Sequence, residues 1–257
     1  MNDDPVALWE ANAETWTRCV RDGSDFYRDL LNTPVFLAML PSVAGLAGLD
    51  IGCGEGENTR ALARQGGRML GIDVAPTFVH HAAESEQTEP LGISYQQADA
   101  TALPFADASF DFATAFMSLM DVADVWRALR EAHRVVTPGG FLQFSILHPC
   151  FVPAHRRVLR DEHGICYAIE VGGYSEPEPH VEEWRFSRAQ NAPLMRLKYF
   201  HHTLTEWLNG VVDAGFTIER IGEPIATPEL ADAHPGLQDT RVAPLSLIVR
   251  GRKAAPA

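Results

Sequence analysis

The sequence predicts an α/β fold in which helices cover both faces of a largely parallel sheet. Between residues 45 and 148, short apolar runs alternate with helical stretches, which is the β-α-β rhythm of parallel sheets. A loop with glycines on alternate positions, from Gly52 to Gly56, joins the first apolar run to the first helix. The chain has 257 residues, 46% of them hydrophobic and 21% charged, which is an ordinary globular composition with enough apolar residues for a substantial core.

Five strands are predicted in this region from their apolar runs and the turns between them: Leu46–Ile51, Arg68–Asp73, Ile93–Gln96, Phe110–Phe116 and Phe141–Leu147. Helices over residues 58–65, 76–86 and 122–136 alternate with them. Gly66 can adopt the left-handed conformation that ends the first helix, and Pro76 suits the first turn of the second. The third helix has apolar residues at steps of three and four and therefore buries one face on the sheet. Pro138, Gly139 and Gly140 predict a turn before the last strand.

Three segments flank this α/β core at 45–148. Residues 1–44 carry Trp9 and Trp16 at helical spacing and are predicted to form a helical cap. Residues 149–200 break the rhythm with many prolines, histidines and aromatic residues, and we interpret them as an insertion that covers the substrate as a lid. Residues 201–257 complete the core: Thr203 and Glu206 have capping-box spacing at the start of a helix, two strands follow, and a frayed tail is predicted from Arg252.

Charge and composition argue against several classes of function. Lys and Arg number 21 and Asp and Glu number 34, so the formal net charge is −13, and no basic run offsets it. A nucleic-acid partner is therefore not expected. The longest unbroken apolar stretch, Val35–Leu40, is far shorter than the roughly 20 residues of a membrane helix. With no basic leader and no paired cysteine spacing, we expect a cytoplasmic protein without a membrane partner.

The glycine loop predicts a site where a ligand lies against bare backbone. Gly52, Gly54 and Gly56 are spaced so that no side chain blocks the approach of ligand atoms to the amides at the start of a helix. A dinucleotide-binding loop would need a third glycine at the position of Glu57, whose carboxylate would instead face the pyrophosphate. A phosphate-binding loop is excluded as well, because no Gly-Lys-Ser/Thr follows.

Two acidic residues at the ends of later strands point to an adenosine. Asp73 closes the second strand 21 residues after Gly52, where its carboxylate can accept hydrogen bonds from both ribose hydroxyls. Asp99 follows the third strand, where it can accept from the adenine amino group while the N–H of Ala100 serves a ring nitrogen. The combination predicts an adenosine ligand without a pyrophosphate.

These motifs together resemble the class I S-adenosylmethionine (SAM) dependent methyltransferases. The resemblance is carried by the residues 49–56 (LDIGCGEG), 71–73 (GID), 99–105 (DATALPF), 110–111 (FD) and 134–140 (RVVTPGG), in that order. It covers residues 45–148 closely and the last helix and strands more loosely. It implies a Rossmann-like, seven-stranded, mostly parallel sheet whose last strand is antiparallel, with helices on both faces and the lid insertion after the fifth strand.

The resemblance also implies a role for each site residue, with SAM as cofactor and S-adenosylhomocysteine (SAH) as its product. Gly52, Gly54 and Gly56 would line the methionine part of SAM, Asp73 the ribose, and Asp99 with Ala100 the adenine. Phe116 and Met117 would pack beside the cofactor. Asp50 would shape the loop near the cofactor's amino group.

The acceptor side is less defined. Methyl transfer needs alignment and, for an ionisable acceptor, a base. His148, just beyond the fifth strand, is either such a group or a structural histidine that anchors the insertion. His201 and His202 are the next candidates, and they lack a third ligand for a metal, so no metal is expected. Asp121 either caps the helix that follows or faces the acceptor, and we favour the cap.

The sequence therefore predicts a methyltransferase that acts on an oxygen, nitrogen or carbon atom of a small molecule. Aromatic residues in the opening segment and the insertion favour an aromatic acceptor, although they could equally form the lid's own core. One alternative is a cyclase or isomerase that keeps SAM as a structural cofactor. Another is a noncatalytic binding module.

Overall fold

The strands lie in two groups, a central sheet and a pair of hairpins. The computed structural model describes residues 3–153, 155–176 and 179–255. Within them the strands are, in chain order, β1 (Ala47–Ile51), β2 (Arg68–Asp73), β3 (Ser94–Gln97), β4 (Phe110–Phe116), β5 (Val136–Leu147), β6 (His155–Arg160), β7 (Cys166–Gly172), β8 (His180–Trp184), β9 (Met195–Tyr199), β10 (Phe216–Gly222) and β11 (Ser246–Lys253).

The central sheet has seven strands in the order β10-β11-β5-β4-β1-β2-β3. Strands β1 to β5 pair in parallel, and β11 is antiparallel to both of its neighbours, β5 and β10. This arrangement confirms the predicted α/β sheet and its antiparallel last strand. The strand order reverses between β1 and β4, and ligands of open α/β sheets bind beyond the carboxyl ends of the strands at such a point.

Seven helices connect or cover these strands within the described ranges: α1 (Pro5–Arg21), α2 (Thr33–Met39), α3 (Glu57–Arg64), α4 (Pro76–Thr88), α5 (Val125–Val135), α6 (Leu204–Asp213) and α7 (Pro228–Ala233). The predicted capping box of α6 is confirmed, because Thr203 and Glu206 exchange side-chain to backbone hydrogen bonds. None of the helices in these ranges has the length and apolarity needed to cross a membrane.

The core occupies both faces of the central sheet. On one face α5 and α6 bury Leu129 and Trp207 against Phe144, and all three side chains are at most 2% exposed. On the other face Leu62 of α3 packs with Phe112. Full burial of such side chains is worth about 1.5–3 kcal/mol each, so these two layers fix the sheet on which the site is built.

Three local predictions are wrong. Helix α5 begins at Val125 rather than Val122, because Asp124 caps it by accepting a hydrogen bond from the N–H of Arg127. Residues 138–140 do not form a turn before the strand. They belong to β5, which starts at Val136, and the pairing of β5 with β4 shifts its register in this region. The tail is not frayed at Arg252, since this residue pairs with β5 and bonds to Glu219.

The insertion consists of two antiparallel hairpins, β6-β7 and β8-β9. Helix α1 packs against β9 on one side and against α4 on the other. The ring of Trp16 in α1 lies 5.7 Å from Trp184 and 5.0 Å from Phe186, measured between ring centroids. The opening helix and the second hairpin therefore share a small aromatic core above the carboxyl edge of the sheet.

Candidate functional site

A cavity of about 680 Å³ lies at the carboxyl edge of β1, β2, β4 and β5. Its floor is formed by the loops that follow these strands, and its cover by α1 and the β8-β9 hairpin. Of the sequence-predicted residues, the cavity wall includes Asp50, Gly52, Gly54, Asp73, Asp99, Ala100, Phe116 and Met117. A cavity of this size is within the range of small-molecule and cofactor sites.

The glycine loop presents bare backbone to this cavity. Gly54 has a φ of +56° and no atom lies within 4 Å of the place where a Cβ would stand, so a side chain there would project into open space. Gly52, with a φ of +70°, has no such room, because its Cβ would lie 2.4 Å from the Cβ of Ser118. Position 54 thus presents open backbone to the cavity, whereas Gly52 is required by the packing of the protein itself.

Gly56 does not lie on the wall, in contrast to its expected contact with the ligand. It precedes α3 with a φ of +91°, and a Cβ there would meet the hydroxyl of Tyr95 at 2.6 Å and the Cβ of Ala82 at 3.0 Å. Its role in this structure is therefore to let the chain enter α3 in a left-handed conformation beside Tyr95.

Asp50 is almost fully buried, and two hydroxyls hold its carboxylate. Thr59 donates to Oδ2 at 2.6 Å and Thr114 donates to Oδ1 at 2.7 Å. Burial raises the pKa of Asp50 and the two hydrogen bonds oppose this rise. The contacts tie β1 to β4 and to the first turn of α3, which fixes the loop between them.

Asp73 connects β2 to the glycine loop. Its Oδ2 accepts from the N–H of Gly54 at 2.9 Å and its Oδ1 accepts from the N–H of Ala75 at 2.9 Å. Burial raises the pKa of Asp73 to about 6, although the amide hydrogen bonds favour the charged form. A carboxylate in this state gains stability from any further hydrogen-bond donor that a ligand brings.

Asp99 and Ala100 lie beyond β3 at the other end of the cavity floor. Asp99 is exposed, and one of its oxygens accepts from both the N–H and the hydroxyl of Thr101, at 2.7 and 2.8 Å. The second carboxylate oxygen is left for a donor in the cavity.

Phe116 and Met117 lie where β4 ends. Phe116 is 9% exposed and packs edge-on against Phe36 of α2 at 4.9 Å. Met117 adopts a φ of +52°, which is rare for a residue with a side chain, and its N–H donates to the carbonyl and hydroxyl oxygens of Ser145. These bonds hold the strained turn that brings residues 117–121 to the cavity wall.

His148 does not reach the cavity. Its ring is 2% exposed, Nε2 lies 2.9 Å from Oε1 of Glu223, and Nδ1 accepts from the N–H of Cys150. Burial lowers the pKa of His148 even though Glu223 opposes this effect. The geometry agrees with the structural alternative, a histidine that anchors the start of the insertion.

His201 and His202 line a second, smaller cavity of about 230 Å³. The two cavities share Met120, Leu147, Trp184 and Tyr199 as walls and are therefore neighbours. The Nε2 of His201 lies 2.8 Å from the carbonyl oxygen of Tyr174. The Nε2 of His202 is buried without a hydrogen-bond partner among the described residues, and burial lowers the pKa of His202.

The sequence favours Asp121 as the N-cap of α5, and this prediction is wrong. Asp124 caps the helix, and Asp121 lies on the cavity wall. The pKa of Asp121 is raised well above its usual range by burial and by the nearby charge of Asp73. Asp124 lines the same cavity, but its carboxylate accepts from the N–H of Arg127, whereas Asp121 lies in the short turn Leu119–Asp121 that precedes it.

Aromatic side chains close the cavity from above. Trp9 and Trp16 come from α1, and Trp184 and Tyr199 come from the β8-β9 hairpin. Tyr27 adds a ring at the other side, where its hydroxyl lies 2.9 Å from that of Ser246. The cavity therefore has a polar floor of carboxylates and bare amides and an aromatic cover.

Comparisons with known proteins agree with this geometry. A family model described as a methyltransferase domain matches residues 49–144. The crystal structure of an S-adenosylmethionine dependent methyltransferase from Mesorhizobium loti has a TM-score of 0.71 and 30% sequence identity to this chain, and the match covers 86% of this chain and 96% of that one.

Two curated relatives match over the core alone. The 27-O-demethylrifamycin SV methyltransferase of Amycolatopsis mediterranei is 39% identical over 107 residues, which is 40% of this chain and 39% of the relative. The 2-phytyl-1,4-naphtoquinone methyltransferase of Thermosynechococcus vestitus is 40% identical over 111 residues, which is 41% of this chain and 48% of the relative. The chain thus spans less than half the length of these two relatives.

Proposed function

This chain belongs to the SAM-dependent methyltransferases, and we propose that it transfers a methyl group from SAM to a small organic acceptor held under the aromatic cover of the cavity. One observation carries the proposal: the open position at Gly54 and the carboxylates of Asp73 and Asp99 share a single cavity with rings from α1 and the β8-β9 hairpin. A cofactor floor and an acceptor cover therefore face each other across one space.

The floor fits SAM. The bare backbone at Gly54 admits the methionine part, and each oxygen of Asp73 keeps a lone pair for a ribose hydroxyl beyond its amide hydrogen bond. Asp99 and the N–H of Ala100 suit the adenine edge, and Phe116 and Met117 would border the cofactor. When bound, SAM supplies a methyl carbon that its positively charged sulfur makes electrophilic.

The protein contributes alignment and exclusion of water. Trp16 and Trp184 close the cavity from two separate elements, so an acceptor beneath them is held against the floor and shielded from solvent. The hairpin would then act as the predicted lid. The names of the two curated relatives, a demethylrifamycin and a phytyl-naphtoquinone methyltransferase, support an organic molecule as the acceptor.

An acceptor that must lose a proton needs a base, and of the three histidines His202 is the best placed. Its ring lines the smaller cavity beside the acceptor space, and its buried, unpartnered Nε2 and lowered pKa describe a neutral imidazole there. His201 is adjacent but faces the carbonyl of Tyr174. We assign His148 to the anchoring of the insertion, because Glu223 and Cys150 engage both of its ring nitrogens.

The test combines binding with transfer. Calorimetry should show that the purified protein binds SAM and SAH, and methyl-labelled SAM with a panel of small aromatic hydroxyl, amine and carbon acceptors should give a labelled product and SAH. The Gly54→Val variant is the matched negative control for both measurements. Absence of heat with either nucleoside would refute the proposal, and an altered product without label would instead indicate a structural cofactor.

A further inference from the structure

The cavity wall is strongly acidic. Among the residues that the structure describes, it carries eight carboxylates and one side chain with a permanent positive charge, Arg28. Arg28 is already paired with Glu55 at 3.2 Å and with Asp29 at 2.9 Å. The wall therefore offers no free Arg or Lys, within the described ranges, to hold an anionic acceptor.

Seven of the eight carboxylates accept a hydrogen bond from the protein itself. Asp50, Asp73 and Asp99 accept from the groups described above, and Glu55 accepts from Arg28. The other three accept from backbone amides at the start of helical turns: Asp4, Asp25 and Asp124. Each of these carboxylates thus has a structural use that does not depend on a ligand.

Asp121 is the exception in the described part of the wall. Its backbone N–H donates to the carbonyl of Ser118 at 3.1 Å, but no donor reaches its carboxyl oxygens. Asp121 is partly shielded from solvent, a carboxylate without a hydrogen-bond partner in such a place is costly, and the second carboxylate nearby, Asp73, adds repulsion. The pair leaves a place of negative potential that a ligand can neutralise.

Two aromatic residues share the cavity wall with this carboxyl group. Strand β9 contacts the turn Leu119–Asp121, burial and then the charge of Asp121 raise the pKa of Tyr199 of β9, and Trp184 of β8 lines the same cavity. Aromatic faces attract cations, and a carboxylate binds a charged donor about twice as strongly as a neutral one. A ring-lined wall with one unpartnered carboxylate is therefore suited to a cationic nitrogen.

We propose that Asp121 binds the ammonium group of an amine-bearing aromatic acceptor, which lies between Asp121 and the rings of Tyr199 and Trp184. This inference rests on the proposed function, because it names the acceptor class for the same cavity. It leaves open which atom of the acceptor receives the methyl group. The sulfonium charge of SAM is the alternative partner for Asp121. SAH has no such charge, so binding of the amine while SAH occupies the floor excludes this alternative.

The experiment compares two probes of the same shape, 2-phenylethylamine and 2-phenylethanol. Their affinities are measured by tryptophan fluorescence in the presence of saturating SAH at about pH 7.5, where the amine is protonated. We expect the wild type to bind the amine about tenfold more tightly than the alcohol. Asp121→Asn should abolish this preference and leave the affinity for the alcohol unchanged.

Asp124→Asn is the matched control. It removes the same charge three positions further along the same wall, and asparagine caps helices as well as aspartate does. We expect this variant to keep the preference for the amine, which separates a specific contact at Asp121 from the general acidity of the cavity.

Equal affinity for the two probes, or a preference for the amine that persists in Asp121→Asn, would overturn the inference. SAH calorimetry on the same protein preparations separates this result from a failure of the proposed function. If SAH binds and the amine is not preferred, only the acceptor class is wrong. If SAH does not bind, the methyltransferase proposal fails as well.

Discussion

The carboxylate of Asp73 accepts a hydrogen bond from the backbone N–H of Gly54, with 2.9 Å between Oδ2 and the nitrogen. Asp73 is the last residue of β2, Gly54 lies in the loop after β1, and these adjacent parallel strands pair Ile72 with Ile51. Asp73, which we assign to the ribose of SAM, therefore also shapes the glycine loop, which we assign to the methionine part. Either residue can be changed alone to ask which of these roles dominates.

Gly54→Val should abolish SAH binding while the protein still folds. The new side chain would project into the open space of the cavity, so we expect the affinity to fall by about a hundredfold or more. The left-handed backbone should cost about 1–2 kcal/mol of stability. Calorimetry with SAH and the thermal unfolding midpoint measure the two effects separately.

Gly45→Val supplies the control for backbone strain. Gly45 also has a positive φ, +76°, and open space at its Cβ position, but it does not line the cavity. Its unfolding midpoint should fall about as far as that of Gly54→Val, while its SAH affinity stays that of the wild type. Equal binding by both variants would mean that position 54 does not face the cofactor.

SAH binding should strengthen as the pH rises through about 6, because the pKa of Asp73 is raised to about 6 in the unliganded protein. Ribose hydroxyls donate hydrogen bonds and therefore prefer the carboxylate, which is the form present above this pKa. Below it, affinity should fall by up to about tenfold per pH unit. Calorimetry between about pH 5 and pH 8 measures the profile.

The variant Asp73→Asn tests the assignment of that titration. Asp25, Asp50, Glu55 and Asp121 on the wall of the same cavity also have raised pKa values, in each case mainly because of burial. If Asp73 is responsible, the variant should bind SAH more weakly above about pH 7 and show a flatter profile below it. A profile that keeps the slope of the wild type would assign the titration to one of the other four carboxyl groups.

The core could be predicted from the sequence because its signals are local. Apolar runs and the glycine loop define β1, β2, β4 and α3 within a few residues, and the capping box at Thr203 fixes the start of α6. Chain order then places the ends of parallel strands at one edge. The wall residues Asp73 and Asp99 follow from that placement, whereas Met117 follows from the resemblance to the methyltransferases.

What could not be predicted depends on contacts between distant segments. His148 and Glu223 are 75 residues apart, and nothing local shows that the ring of His148 turns toward this carboxylate and away from the cavity. Asp121 and Asp124 both suit an N-cap, and the choice depends on the strained turn at Met117 that Ser145 of β5 holds. Gly56 fits the motif spacing, but the position of Tyr95 gives it a packing role.

Asp121→Asn should stabilise the unliganded protein at about pH 8. Burial raises the pKa of Asp121 in the folded state above its unfolded value of about 3.9, so the wild type loses stability as the pH rises through these two values. Asparagine carries no charge, and we expect its unfolding midpoint to exceed that of the wild type by a few degrees, at about 2–4 °C per kcal/mol.

The advantage of Asp121→Asn should shrink as the pH falls and disappear below about pH 3, where the carboxyl group of the wild type is protonated in both states. Asp124→Asn, which changes an exposed cap, should show little difference at either pH. A lower unfolding midpoint for Asp121→Asn at about pH 8 would mean that the carboxylate has a favourable partner in solution.

The β8-β9 hairpin should detach when its contact with α1 is weakened. Trp16 packs on Trp184 and Phe186, and Trp16→Ala removes the ring that joins the two elements. Arg185 and Arg188 are exposed in the connection between β8 and β9, so limited trypsin digestion measures its opening. We expect cleavage after these arginines to be about tenfold faster in the variant, because local opening is governed by the contacts that remain.

Trp9→Ala is the comparison for this effect. Trp9 lies on the same helix and packs against Phe78 of α4, so its loss should destabilise α1 without freeing the hairpin directly. If the hairpin is the lid, Trp16→Ala should accelerate cleavage more than Trp9→Ala does, and a bound SAH-amine pair should slow cleavage in the wild type. Equal cleavage rates in the two variants would mean that α1 and the hairpin open as one unit. The lid would then include α1 as well as the hairpin.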